Sequence, residues 1–425
     1  MSSLWRIIYE QVERLPVIDT HEHLPHHDIR CSEAGGPDVL FDYLLHYLSS
    51  DLRSAGLPAG DLERARDRSL PVEERWEFVA PYWEFCRHTG YGRALELAAR
   101  GIYGLDGLSR ETISQLARAY RERGGRGHLR FVLRELCRIE TAILDSWAIQ
   151  EPYDRELFRY AWQPTPFILA DQTMLRGLEG EGASIRDLDD WLQALVAALE
   201  DALSRGLAAL KNAMAYDRTL YYGRVPYATA KALFAETLVK WRRAEEGEDV
   251  SVLLPQPVQD FLMHFVLGEA SRRGLVLQVH TGLFEGSGAV LANGRPTLLN
   301  NLFLDYPNVK FDLLHMGYPY QGEAAALAKM FPNVYLDMCW AHVISPAAAR
   351  SALADWLDAV PFNKIMGFGG DYAFVDGVYG HLIMAKENIS RVLAEKVELG
   401  VFDLERAVQI AEHLLYINPK ELFGL

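Results

Sequence analysis

The stretch 309–340, VKFDLLHMGYPYQGEAAALAKMFPNVYLDMCW, decides the fold. It opens on a short apolar run, VKFDLLHMG (309–317), that closes on a histidine and a glycine. A segment of helical spacing follows at 321–331, then a second apolar run, NVYLDMCW (333–340). Strand, helix and strand in so little chain form one βα unit, the connection that parallel neighbours require.

The same unit repeats in both directions. Downstream, a helix at 345–358 leads to NKIMGFGGD (363–371). Upstream, LVLQVHTG (275–282) precedes a helix at 295–305. Earlier candidates are LAALKNA (207–213), TPFILAD (165–171), IETAILD (139–145) and LPVIDTHEH (15–23). Eight such runs with intervening helices predict a closed α/β architecture, the (β/α)8 TIM barrel. Two terminal helices are expected near 376–399 and 403–416. Residues 38–137 break the rhythm. They lack β character and space Trp76, Val79, Trp83 and Cys86 as a helix does. We read 38–137 as a helical insertion after the first strand, and 1–37 with 138–425 as the barrel.

Composition narrows the partners. The 425 residues carry 58 acidic against 43 basic side chains, a net charge of −15, which argues against a nucleic-acid partner. No apolar stretch is long enough to span a bilayer, and MSSLWRIIYEQVERLPVIDTHEH lacks a signal peptide's apolar run. A cytoplasmic location follows as the expectation. Cys31, Cys86, Cys137 and Cys339 are scattered without a C-x-x-C, so no thiolate zinc motif is expected.

The chemistry lies at the strand ends. His21 and His23 are two apart, so both rings leave the first strand on one face. Alone the pair says little, because His26 and His27 make the whole stretch His-rich. However, His280 ends the fifth run, His315 the sixth and Asp371 the eighth. In a barrel all strand C-termini meet at one rim, so these residues would gather. Imidazoles with a carboxylate suit a divalent metal: zinc first, with manganese or iron as alternatives, as one ion or two. Lys211 ends the fourth run. It is either a salt-bridged or solvent-facing ammonium, or a neutral amine able to form a carbamate.

Around these lie candidate substrate contacts. Tyr216 and Arg218 follow Lys211, Trp340 and His342 follow the seventh run, and Tyr372 and His381 follow the eighth. Arg218 would either clamp a carboxylate or make a loop salt bridge. His381 would line the pocket or face solvent from a helix. His46, His88, His128, His264 and His413 fall in helical patterns and read as structural.

VIDTHEH, LAALKNA, LQVHTG, DLLHMG and GFGGD together resemble the amidohydrolase superfamily. LKNAMAYDRTL, HMGYPY, PNVYLD and NPKELFGL resemble its "amidohydrolase 2" group, in texture the FluG/nodulin-type amidohydrolase module. The long insertion is similar to that of uronate isomerases. The resemblance implies that His21, His23 and Asp371 bind one metal. His280 and His315 would bind a second, bridged by carboxylated Lys211. In one-ion relatives His280 joins the first metal and His315 polarises substrate or water. A metal-acidified water would pass its proton to Asp371. The leading expectation is a metal-dependent hydrolase of a C–N or C–O bond (amide, lactam, lactone or ester) in a small molecule, with a carboxylate-bearing substrate compatible. The alternatives are a uronate-type isomerase or non-oxidative decarboxylase on the same site, or a non-catalytic scaffold. A homo-oligomer is compatible with all three.

Overall fold

The computed structural model describes residues 4–25, 36–125, 127–146, 153–245, 252–286 and 288–425. His26, His27 and Cys31 lie outside the described residues. Eight strands form one sheet in sequence order: β1 (Val17–Glu22), β2 (Ile139–Ser146), β3 (Phe158–Trp162), β4 (Leu207–Asn212), β5 (Val276–His280), β6 (Lys310–Leu314), β7 (Val334–Asp337) and β8 (Ile365–Met366). Every adjacent pair from β1 to β8 is parallel. The seam between the ends is stitched by single hydrogen bonds: the Thr20 amide donates to the Phe368 carbonyl, and the Asp371 amide to the His21 carbonyl at 2.8 Å. That approach needs glycine, since a Cβ on Gly370 would lie 1.7 Å from Glu22 Oε1. The fold is a nearly closed (β/α)8 barrel.

One strand is displaced from its sequence reading. The expected run 165–171 contains the short helix Thr165–Ile168, and β3 lies upstream in Phe158-Arg-Tyr-Ala-Trp162. Pro164 and Pro166 lack the amides that a ladder needs, so they suit the helix start. Phe167 and Ile168 are buried all the same, which is why their apolar run mimics a strand.

Period-two alternation stacks the lumen in layers. At the bottom Ile143, Ala161, Ala209, Val276 and Met366 form an apolar cluster, joined by Leu422 and Phe423 of the last helix. Two residues up each strand, the side chains turn polar. Asp19, Gln278, Asp312 and Asp337 are fully buried. Burial raises Asp312 to about 7 and pushes Asp337 well above the usual carboxylate range. Burial thus disfavours two bare charges side by side in this layer. Asp145 and Lys211, two residues above Ile143 and Ala209, join this polar layer, and His280 lies two residues above Gln278.

Between β1 and β2 run α2 (Val39–Leu45), α3 (Leu48–Ser54), α4 (Ala59–Arg66), α5 (Val72–Cys86), α6 (Gly90–Tyr103), α7 (Ile113–Arg123) and α8 (His128–Arg130), after the N-terminal α1 (Leu4–Val12). α6 packs on the 24-residue helix Val375–Glu398, so closely that a Cβ on Gly380 would overlap the Ala94 carbonyl. Buried Asp376 on that helix accepts from Tyr43 Oη (3.1 Å), Tyr103 Oη (2.7 Å) and His128 Nε2 (3.3 Å), all from the insertion. No helix among the described residues is long and apolar enough to cross a membrane.

Candidate metal centre

The strand ends bring His21, His23, Lys211, His280, His315 and Asp371 to one rim. His21, on β1, is fully buried. Gln278 fixes its tautomer. The Gln278 amide nitrogen donates to the Thr20 carbonyl (2.9 Å) and to Asp312 Oδ2 (3.1 Å), so its Oε1 must accept from His21 Nδ1 (3.3 Å). The lone pair of His21 Nε2 then faces Lys211 Nζ (2.8 Å), Asp371 Oδ1 (3.5 Å) and Asp145 Oδ2 (3.7 Å). His23 Nε2 lies 3.2 Å from the same Asp371 oxygen.

His280 Nε2 donates to the Leu283 carbonyl at 2.7 Å, so its Nδ1 carries the lone pair. That nitrogen is 2.8 Å from His315 Nε2. A neutral imidazole has one N–H, so the 2.8 Å contact and the 3.4 Å approach of His315 Nδ1 to the Cys339 carbonyl cannot both be hydrogen bonds. The shorter one is the bond. His315 Nδ1 is then left bare, 3.8 Å from Asp371 Oδ2.

The charge states suit a cation. Burial, then the Lys211 ammonium, holds His21 well below its ordinary pKa and His280 down at about 3. Burial and His280 do the same to His315. Neutral imidazoles are the ligand form. Burial alone would raise Asp371, but the imidazoles of His315, His23 and His21 outweigh it and hold its carboxyl well below the usual range. Two donor groups result, His21 with His23 and Asp145, and His315 with Cys339 and Asp371. This set of imidazole nitrogens and carboxylate oxygens fits a divalent first-row ion. Lys211 stands against His21 and Asp145 (3.7 Å) in an ion pair, on the side of the first group.

Backbone strain accompanies the site. Non-glycine residues with positive φ close three successive strands: His315 (66°), Trp340 (62°) and Asp371 (59°). Each costs about 1–3 kcal/mol, which the surrounding packing must hold in place.

The insertion reaches the rim. Tyr47 Oη lies within hydrogen-bond reach of both the Asp371 backbone carbonyl and its Oδ2 (2.6 Å), and the phenol's one proton is shared between them. The Tyr47 ring packs against both Trp340 (4.7 Å, 18°) and Tyr91 (5.0 Å, 15°), whose own rings lie 6.4 Å apart. His46 stacks on Tyr47 at 3.8 Å and stands 6.4 Å from the His23 ring. His46 therefore does not sit inside a helix as its pattern suggested, because α2 ends at Leu45 and His46 caps it in an extended conformation. Beside this aromatic stack opens a cavity of about 470 Å³, lined by Tyr47, Tyr91, Trp340, Glu285, Ser50 and Arg53.

The predicted substrate contacts divide. Trp340 and Tyr372 are buried against Tyr47, and Tyr216 packs on His280 (4.8 Å) and Phe284 (4.9 Å). His342 and His381 are fully buried instead, with their rings hydrogen-bonded to the Gly367 and Gly370 carbonyls. Arg218 is spent on its own loop: it bonds Asp260 Oδ1 (2.6 Å), Gln259 Oε1 (3.0 Å) and the Tyr221 carbonyl (2.7 Å). Of the helical histidines, His128, His264 and His413 are hydrogen-bonded to Asp376, Tyr306 and Asn418 respectively. Asp145, Cys339, His46 and Tyr47 were missed. Asp145 closes its strand as the histidines do, so the same rule could have found it.

Comparison with known proteins places these observations. Residues 181–425 match the family described as Amidohydrolase. A uronate isomerase of Cutibacterium acnes is 23% identical over 462 aligned positions, covering 99% of this chain and 95% of that protein. The fluG protein of Emericella nidulans is 30% identical over 176 residues, 40% of this chain, and the match spans only 20% of that protein. The crystal structure of a uronate isomerase from Thermotoga maritima superposes with a TM-score of 0.79 at 19% identity, covering 100% of this chain and 98% of that one.

Proposed function

The chain belongs to the amidohydrolase family, and on that premise we propose that it is a metal-dependent isomerase of small sugar acids. The observation that carries this reading is the hydroxyl of Tyr47, bonded to Asp371 at 2.6 Å from within the insertion. A hydrolase needs Asp371 to exchange protons with water. An isomerase needs a relay shielded from it. Here one Asp371 oxygen faces His21 and His23, while the other is met by a buried phenol packed against Trp340 and Tyr91 at the cavity wall. The likeness to a uronate isomerase also runs through the insertion, along nearly the full chain.

Interconverting an aldose and a ketose moves one proton from C2 to C1 and one from O2 to O1. A bound divalent cation, most simply zinc, would polarise the two oxygens. Asp371, ionised at neutral pH, accepts a proton and returns it at the neighbouring atom. Tyr47 steadies the carboxylate and passes the second proton. Burial and Asp371 push its phenol well above the usual range, so it serves as a donor. Arg53 and Ser50 on the cavity wall are the groups that would meet a carboxylate and hydroxyls.

A second reading, hydrolysis of a C–N or C–O bond, draws support from the family match and from Lys211 beside His21. Product analysis in labelled water separates them. We expect a panel of uronates to give isomeric products of unchanged mass, with the migrating hydrogen largely retained in D2O, as a shielded relay requires, and with activity lost on chelation. Uptake of ¹⁸O from water into product would refute isomerisation in favour of hydrolysis.

A further inference from the structure

We propose that Cys339 is a metal ligand, forming with His315 and Asp371 a thiolate-bearing cation site on the far side of Asp371 from His21 and His23. The inference rests on the metal-centre reading above and adds a donor that neither the motif pattern nor the family resemblance supplies.

The turn after β7 puts Cys339 in place. Asp337 closes β7 and is fully buried beside Asp312 in the lumen, and Cys339 lies two residues further, in the turn beyond the strand end. The Asp337 carboxylate accepts from the Cys339 amide at 2.7 Å and anchors the turn. The thiol is fully buried, and a donor atom each from His315, Cys339 and Asp371 lie within 4.8 Å of one another.

The donor that His315 contributes follows from its tautomer. Its Nε2–H is taken by His280, so Nδ1 is the nitrogen with a lone pair, and it faces Asp371 Oδ2 at 3.8 Å. Asp371 thereby serves two groups, with Oδ1 toward His21 and His23 and Oδ2 toward His315. Lys211, the residue expected to bridge a second ion, stands instead at 2.8 Å from His21 Nε2 and is paired with Asp145. A second ion would therefore find its ligands at the sixth, seventh and eighth strands.

Sulfur changes which metal is preferred. A thiolate favours zinc and cobalt over manganese or magnesium, which take oxygen donors. It also loses its proton on binding, because the ion inverts the local charge balance.

The test uses the full-length protein loaded with cobalt(II) during expression. We expect an intense near-ultraviolet sulfur-to-cobalt charge-transfer band, lost in Cys339→Ser and retained in Lys211→Met, with the melting curve of Cys339→Ser confirming that it folds. Cobalt bound without that band, or a band that survives Cys339→Ser, overturns the assignment and leaves the metal centre standing. Protein that binds no cobalt at all overturns the metal centre itself.

Discussion

The rim of the barrel and the helical insertion supply the same site by different means. His21, Lys211 and His280 are held by β1, β4 and β5, whose ladders fix their positions to within a pleat. Tyr47 and His46 come from the break between two short helices, and ring packing with the one phenol contact to Asp371 holds them over the rim. The rim therefore carries the donor set, which needs exact geometry, while the insertion carries the lid and its proton. The difference teaches that one site can be rigid on one side and adjustable on the other.

The largest effect expected is on the rim. Asp371→Asn should lower turnover by about 10³-fold or more, because the amide can neither take a proton nor balance the imidazoles. Steady-state kinetics beside a melting curve would check it. Tyr47→Phe comes next, on the insertion side. It removes one hydroxyl from a ring that keeps its stacking partners. We expect kcat to fall about 10²-fold with bound metal unchanged. Should kcat fall less than about threefold, the relay role of the insertion fails and the rim acts alone.

How far each region was legible follows from the same contrast. Strand ends are marked in sequence by an apolar run that stops at a polar residue and glycine, so His280, His315 and Asp371 could be placed from the chain alone. The barrel followed from counting such runs. β3 was misplaced because Phe167 and Ile168 are buried as a strand would be, although prolines forbid the ladder. Cys339 was passed over because its signal was sought in cysteine spacing, whereas its position depends on the turn after β7. Tyr47 had no local signal at all. Its contact with Asp371 spans 324 residues of chain, and only the packing of α6 on the helix Val375–Glu398 brings the two together. Arg218 and His342 lie beyond strand ends too, but position alone does not say where a side chain points: Arg218 turns back to Asp260 and His342 to the Gly367 carbonyl.

If the insertion is held by packing, loosening its anchor should harm the site without touching it. Asp376→Ala leaves Tyr43, Tyr103 and His128 as buried donors without their shared acceptor. We expect a loss of about 3 kcal/mol in stability, read by denaturant melts. Turnover should fall about tenfold at temperatures where the chain stays folded, as Tyr47 drifts from Asp371. A variant that loses stability and keeps full kcat would show that the lid is positioned by the rim.

The smallest effect on turnover marks where the rim stops being the site. Arg218 sits just beyond β4, where the sequence allowed either a carboxylate clamp or a loop salt bridge. Its guanidinium is only 9% exposed and its partner Asp260 equally so, and it lies 4.6 Å from the Tyr222 ring centre. Each side of the fork is already bonded within its own loop. Arg218→Met should therefore strand a buried carboxylate and cost about 3 kcal/mol of stability, yet change kcat/KM by less than about threefold. The cation left facing the cavity is Arg53, from α3 of the insertion. A large rise in KM for Arg218→Met, with Arg53→Met unaffected, would return substrate recognition to the rim and leave the insertion only its phenol.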